Sequence, residues 1–307
     1  MPRKRKRRGR PGRRRILPFI ILAVLIALVV GALLPRAGHR IASHRRYRPV
    51  AQVTAAPAPV VTATPTPQPQ PSSPSAPAEP VATPTYAGSG PVVAIIIDDC
   101  GQWLDTERGY VALPIPLTLS VLPHVRYAGL IANEARAGGK AVMLHLPMEP
   151  ISHMNPGPGE IKTSMSDAEI IAQTQDDLAQ VPLATGVNNH EGSEASADPR
   201  VMQAVMDVVK DHGIFFVDSM TNAKSIAAQT ARNDGVPTAS RDVFLDNQED
   251  VAYSESMLER AVAVAKANGS AIAIGHPRPT TLAALRDSYA KMEAEGIHFV
   301  FVSQLVH

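Results

Sequence analysis

Only one cysteine, Cys100, occurs in the 307-residue chain. No intrachain disulfide can form, so the fold has to rest on its apolar core even in an oxidising compartment. Acidic residues are missing from residues 3–15, which hold ten Lys and Arg, and charge of either sign is missing from the nineteen residues 16–34. That uncharged run is long enough to span a bilayer as a helix, and no convincing small-residue cleavage site follows it, which predicts an uncleaved signal anchor. Ten basic residues before the span outweigh five after it (Arg36, Arg40, Arg45, Arg46 and Arg48), which predicts a cytoplasmic N-terminus and an exported remainder tethered to the inner membrane.

Large apolar residues other than Val are nearly missing between the anchor and residue 90, where Pro, Ala, Thr and Ser dominate (TATPTPQPQPSSPSAPAEP). Such a stretch cannot offset its ordering entropy by burial, so 35–90 reads as an extended linker. Basic excess is also missing from the exported part: residues 51–307 hold 15 basic and 28 acidic residues, a net −13. That excludes a nucleic-acid partner for the domain and leaves the basic 1–15 segment as a topogenic, lipid-facing feature.

What remains is residues 91–307, enough for one substantial core. Eight apolar runs alternate with helical patterns there. The runs are 91–98 (PVVAIIID), 117–123, 141–147, 184–189, 214–219, 242–247, 271–276 and 297–303; the helical patterns fall near 126–137, 166–180, 199–211, 223–232, 251–267 and 281–295. The alternation predicts an α/β fold of buried parallel strands, either a doubly wound sheet or a barrel. A deformed (β/α) barrel is the preferred expectation, with the weak run at Val243–Leu245 as its poorly formed stave.

Polar residues gather where these runs end. Asp98 and Asp99 close the first, His124 follows the second, and His145 sits near the end of the third. Asn188, Asn189 and His190 end the fourth, Asp218 the fifth, Asp246 the sixth and His276 the seventh. A single Asp or His at a strand end is an ordinary turn former. As a set they converge, because the carboxyl ends of parallel barrel strands open on one face. Two adjacent carboxylates repel each other unless one titrates or a cation binds, and with histidines they form the ligand mix of a divalent metal site. The same parts suit acyl hydrolysis, which needs a base, an acid and an activating cation.

The motifs IIIDDCG (95–101), HLPMEP (145–150), NNHEGS (188–193), VFLDN (243–247) and IAIGHPRP (272–279) resemble the divergent polysaccharide deacetylase family, a branch of the NodB-type carbohydrate deacetylases. The resemblance covers nearly all of 91–307. It implies a deformed barrel of about seven strands, zinc or another divalent cation as cofactor, the first Asp of the pair as base and the second as a metal ligand. Asp98 is thus the expected base and Asp99 the expected ligand. The wider superfamily places two metal-binding histidines four residues apart; here the stretch runs from His145 to Glu149. His190 is the expected third ligand beside His145, and Glu149 the alternative, which could instead bond substrate. His276 is the expected acid toward the leaving group, with a structural His in a Gly-His-Pro turn as the competing reading. Asp218 is expected to orient an imidazole, and Asn189, Ser219 and Asp246 to line the pocket. Trp103 is either a sugar-stacking platform or a core anchor, and Cys100 a small buried residue.

Two function classes follow. One is an envelope metal-dependent hydrolase removing N- or O-acetyl groups from a glycan. The other is a tethered glycan-binding or scaffold protein on a degenerate barrel.

Overall fold

Alternation of inward and outward side chains along the first strand organises the molecule. The computed structural model describes residues 88–307; the segments 1–15 and 16–34, and 35–87 of the linker, lie outside the described residues. Nine strands are present among the described residues: β1 (Val92–Cys100), β2 (Thr118–Val121), β3 (Ala141–Met148), β4 (Gly186–Glu191), β5 (Phe215–Asp218), β6 (Thr238–Ser240), β7 (Val243–Phe244), β8 (Ser270–Gly275) and β9 (His298–Val300). Seven α-helices accompany them: α1 (Leu104–Val111), α2 (Ala128–Ala137), α3 (Asp167–Gln180), α4 (Pro199–Asp211), α5 (Ala227–Asn233), α6 (Val251–Asn268) and α7 (Pro279–Ala294). Each of the eight apolar runs contains a strand. Unforeseen from the pattern were β6 and the short α1.

All strand pairs are parallel, in the order β6-β5-β4-β3-β2-β1-β8-β7. The two ends of this order are one piece of chain. β6 pairs with β5, the chain passes through Arg241 and Asp242, and β7 pairs with β8; Arg241 N–H bonds Asp218 O at 3.0 Å and Asp242 N–H bonds Ile272 O at 2.9 Å. The sheet therefore closes through a split stave, which gives seven staves and places the weak stave at Val243 as expected. β9 also pairs with β1, at Val92–Ala94, where β8 occupies the other edge; β9 and β2 must share the remaining edge, one low and one high.

Two apolar layers follow from the period-2 geometry of strands. Val93, Ile95, Ile97, Leu119, Leu144, Val187 and Phe216 face outward into one cluster with helix residues such as Ile131, Val205 and Leu285. Val92, Ala94, Ile96, Met143, Val217, Ile272 and Ile274 form a second cluster that includes Val300 and Val302 and no α-helix residue, which is the barrel interior. Burying each such aliphatic side chain contributes about 1.5–3 kcal/mol. Helix starts are encoded locally: Ser166 and Glu169 form a capping box for α3, Asp198 caps α4 ahead of Pro199, and Asp250 caps α6. Gly269, with φ of 89°, ends α6 in the left-handed conformation and turns the chain directly into β8.

The loop leaving β1 is tied from below. Glu107 on α1 is wholly buried, and its Oε1 accepts the N–H groups of Gly101 (2.9 Å), Gln102 (3.0 Å) and Trp103 (2.8 Å). A charged acceptor shared by three backbone donors fixes the chain immediately after the Asp98-Asp99 pair.

Candidate active site

Inward parity continues past the apolar layers into a polar one at the carboxyl mouth. On β1 the sequence 92, 94, 96 leads to Asp98, and on β3 Met143 leads to His145. Register pairs His145 with Asn188, so Asn188 and His190 share that inner face on β4. Val217 leads to Ser219, and Ile274 to His276.

Regular alternation would turn Asp99 outward. The β1–β2 register instead steps from Ile97↔Leu119 to Cys100↔Val121, one extra residue on β1, and Asp99 takes φ of 57°. This bulge turns both neighbouring carboxylates inward. Non-glycine residues in that conformation are uncommon and concentrate at functional sites. His124, His153, Glu191 and Met220 share it, each at or beyond the carboxyl end of a strand on the same face.

Three donor atoms now meet. Asp99 Oδ1 lies 2.9 Å from His190 Nδ1 and 3.2 Å from His145 Nε2, and the two ring nitrogens are 3.1 Å apart. Asp99 Oδ1 is buried and accepts no well-formed hydrogen bond. Two imidazole nitrogens and a carboxylate oxygen suit a divalent cation such as zinc, and ligand bonds of about 2.0–2.2 Å separate neighbouring donors by roughly 3 Å, so the donor set fits. Asp98 Oδ2 stands 3.6 Å from His145 Nε2, beside this triangle rather than in it.

The pair is electrostatically split. Burial pushes the Asp98 carboxyl above its ordinary range, against the pull of His145, His276 and Asn188. Burial also opposes ionisation of Asp99, but the close approach of the His145 and His190 rings outweighs it and holds Asp99 far below the carboxylate range. Adjacent acids with separated proton affinities are the pattern of divided roles.

His276 stands opposite. Its Nδ1 is 2.8 Å from Asp246 Oδ1, and Asp246 Oδ2 accepts the His276 backbone N–H and the Thr281 hydroxyl, each at 2.8 Å. Burial lowers the imidazole's proton affinity, but Asp246, with Asp99 and Asp98 behind it, outweighs burial and raises it. The ring stacks on Phe244 (5.9 Å between centroids, 13° between planes), and the Arg241 guanidinium covers Phe244 at 3.9 Å while its Nε donates to Ser219 O at 2.8 Å.

The remaining expected site residues fall elsewhere. Asp218 does not orient an imidazole: its oxygens accept Met220 N–H and the Ser225 hydroxyl, both at 2.8 Å, closing a turn, and Asp246 holds the histidine instead. Asn189 does not line the pocket; it lies on the outward face and stitches loops through Ser219 N–H (2.9 Å) and Glu191 O (3.0 Å). Glu149 stays out of the triangle, its Oε2 taken by the Thr163 N–H and hydroxyl at 2.7 Å each. It belongs to a separate group with His153 and Glu194, and His124 to another with Asp176 and Asp177. Trp103 is half-exposed, which removes the core-anchor reading. Cys100 is buried, its Sγ 3.2 Å from Ile97 O. Asn188, Ser120 and Arg241 are the polar residues at the mouth that strand-end reasoning undervalued.

A parallel barrel with inward carboxylates and histidines at its carboxyl mouth defines a protein of the carbohydrate-deacetylase fold class. Residues 95–306 match the divergent polysaccharide deacetylase model, and the chain belongs to that family. It is 36% identical over 194 residues to an uncharacterized protein of Haemophilus influenzae, covering 63% of this chain and 69% of that protein. It is 35% identical over 206 residues to the uncharacterized protein YibQ of Escherichia coli, covering 67% of this chain and 64%, less than two thirds, of that protein. The crystal structure of uncharacterized protein ATU2773 from Agrobacterium tumefaciens C58 superposes with a TM-score of 0.70 at 26% identity, covering 73% of this chain and 92% of that one.

Proposed function

We propose that the chain is a membrane-anchored envelope hydrolase that removes acetyl groups from a glycan with the help of a divalent cation. The observation that carries this reading is the three-donor triangle of Asp99, His145 and His190 with Asp98 beside it. A bound cation would supply Lewis acidity toward the acyl carbonyl. Asp98, a buried carboxylate with a raised proton affinity, takes the proton of the attacking water. His276, its proton affinity raised by Asp246, returns a proton to the departing amine or alcohol. Trp103, exposed on the loop after β1, offers a ring face to a sugar.

Acetate release from N-acetylated and O-acetylated glycan fragments by the zinc-loaded chain tests the reading. Turnover on either class supports it; saturable glycan binding without acetate release by any metal-loaded form would make the protein a binding module.

Asp246 gives a pH signature with a definite sign. A general acid works only while protonated, so the rate falls as pH rises through the raised proton affinity of His276. Asp246→Asn removes the largest raising influence, and the alkaline limb of the rate profile is expected to move to lower pH. A limb at the wild-type position would remove His276 from the acid role.

Placement in the envelope rests on the basic 1–15 segment and the uncharged 16–34 run. A C-terminal reporter that works only outside the cytoplasm should be active, and one that works only inside should be silent. The reverse pattern would overturn the anchor.

A further inference from the structure

Asn188 is wholly buried and touches both halves of the proposed machinery. Its Nδ2 donates to Asp98 Oδ1 at 2.8 Å and to Ser219 Oγ at 3.1 Å. Its Oδ1 accepts from Ser120 Oγ at 2.5 Å and faces His145 Nδ1 at 2.9 Å. Every polar atom of the side chain is therefore engaged, and each engagement constrains the next.

A carboxylate only accepts, so an ionised Asp98 requires the amide NH2 on its side. The amide oxygen then faces His145, whose Nδ1 must carry the proton. The lone pair of the ring is left on Nε2, the atom that points at Asp99 Oδ1 and His190 Nδ1. The flipped amide requires a protonated Asp98 and puts the ring proton on Nε2, which removes the base and the ligand together. One amide orientation thus serves both.

We propose that Asn188 is the positioning residue that couples the two roles: it holds His145 as the Nδ1–H tautomer, aiming Nε2 at the cation, and it holds Asp98 in place as base. The inference rests on the site reading above and goes beyond it by assigning an outer residue on which both depend. Ser120 and Ser219 complete the cage, one on each end of the amide, so that the side chain cannot rotate without losing buried hydrogen bonds.

Two variants and one spectrum test it, all with the full chain. Asn188→Ala removes both functions of the amide. It is expected to weaken zinc binding roughly 10–100-fold, the usual scale for losing an outer partner of a metal-bound histidine, and to lower turnover as well. Asn188→Asp keeps an acceptor toward His145 but sets an oxygen against Asp98. It is expected to bind zinc as tightly as wild type or tighter while turnover falls at least roughly tenfold. A merely structural role would move both readouts together in both variants. In wild-type protein with ring-15N histidine and 113Cd, the metal is expected to couple to Nε2 of His145 and to Nδ1 of His190. Coupling to Nδ1 of His145, or wild-type zinc affinity in a folded Asn188→Ala protein, overturns the proposal. If Asn188→Ala does not fold, the cadmium spectrum and the Asn188→Asp split decide it. A wild-type chain that binds neither zinc nor cadmium overturns the site reading itself, whereas normal wild-type binding with insensitive variants overturns only the role of Asn188.

Discussion

Asp98→Asn is expected to keep its metal and lose at least about a hundredfold in turnover, the usual scale for a missing general base. The substitution keeps size and polarity, and the Asn188 Nδ2–H group that now bonds Asp98 Oδ1 finds an amide oxygen in the same place. The position is buried and resists ionisation, so removing its charge should not cost stability. Zinc content and thermal melting should therefore match wild type while acetate release collapses. A variant that turns over at the wild-type rate would show that the proton goes elsewhere, and one that loses zinc would put Asp98 among the ligands.

The second large effect is loss of the cation. Asp99→Ala, His145→Ala and His190→Ala each remove one corner of a triangle with edges of 2.9, 3.1 and 3.2 Å. Three protein ligands are the minimum for a catalytic zinc, so each variant is expected to lose most of its metal and with it the activity. Glu149→Ala should retain stoichiometric zinc, because its carboxylate is committed to Thr163 and lies in another cluster. Elemental analysis of the four variants after dialysis against buffer free of chelator separates these outcomes. Retained zinc in His190→Ala together with loss in Glu149→Ala would move the third ligand to Glu149.

Much of the barrel could be read from the sequence because buried parallel strands are continuous apolar runs. β6 escaped because Thr238–Ser240 is small and polar and pairs through only three residues with β5. α1 escaped because two of its buried positions are Glu107 and Tyr110, one a charge that holds the preceding loop and so erases the helical apolar stripe. At the site, proximity to a strand end picked out Asp98, His145, His190 and His276, which gather at one mouth, but treated their neighbours alike. Strand parity separates them. Asn189 lies on the face of Val187, and Asp218 on the face of Phe216, both turned toward the helices. Asn188 and Ser219 lie on the inner face, two residues from His190 and Val217 respectively, so the signal that would have promoted Asn188 was present in the chain. The inward turn of Asp99 was not legible, because a bulge is a property of the register between β1 and β2, which no single strand carries.

The motif IIIDDC ends a buried strand on two carboxylates because strand parity points Asp98 inward and a one-residue bulge brings Asp99 to the same cluster of imidazoles. Anomalous difference density recorded across the zinc edge, from crystals of the zinc-loaded protein, tests this most directly. The prediction is one dominant peak within bonding distance of Asp99 Oδ1, His145 Nε2 and His190 Nδ1, with Asp98 outside it. A dominant peak at Glu149, His153 and Glu194, or at His124, Asp176 and Asp177, or no peak in zinc-saturated crystals, would contradict it.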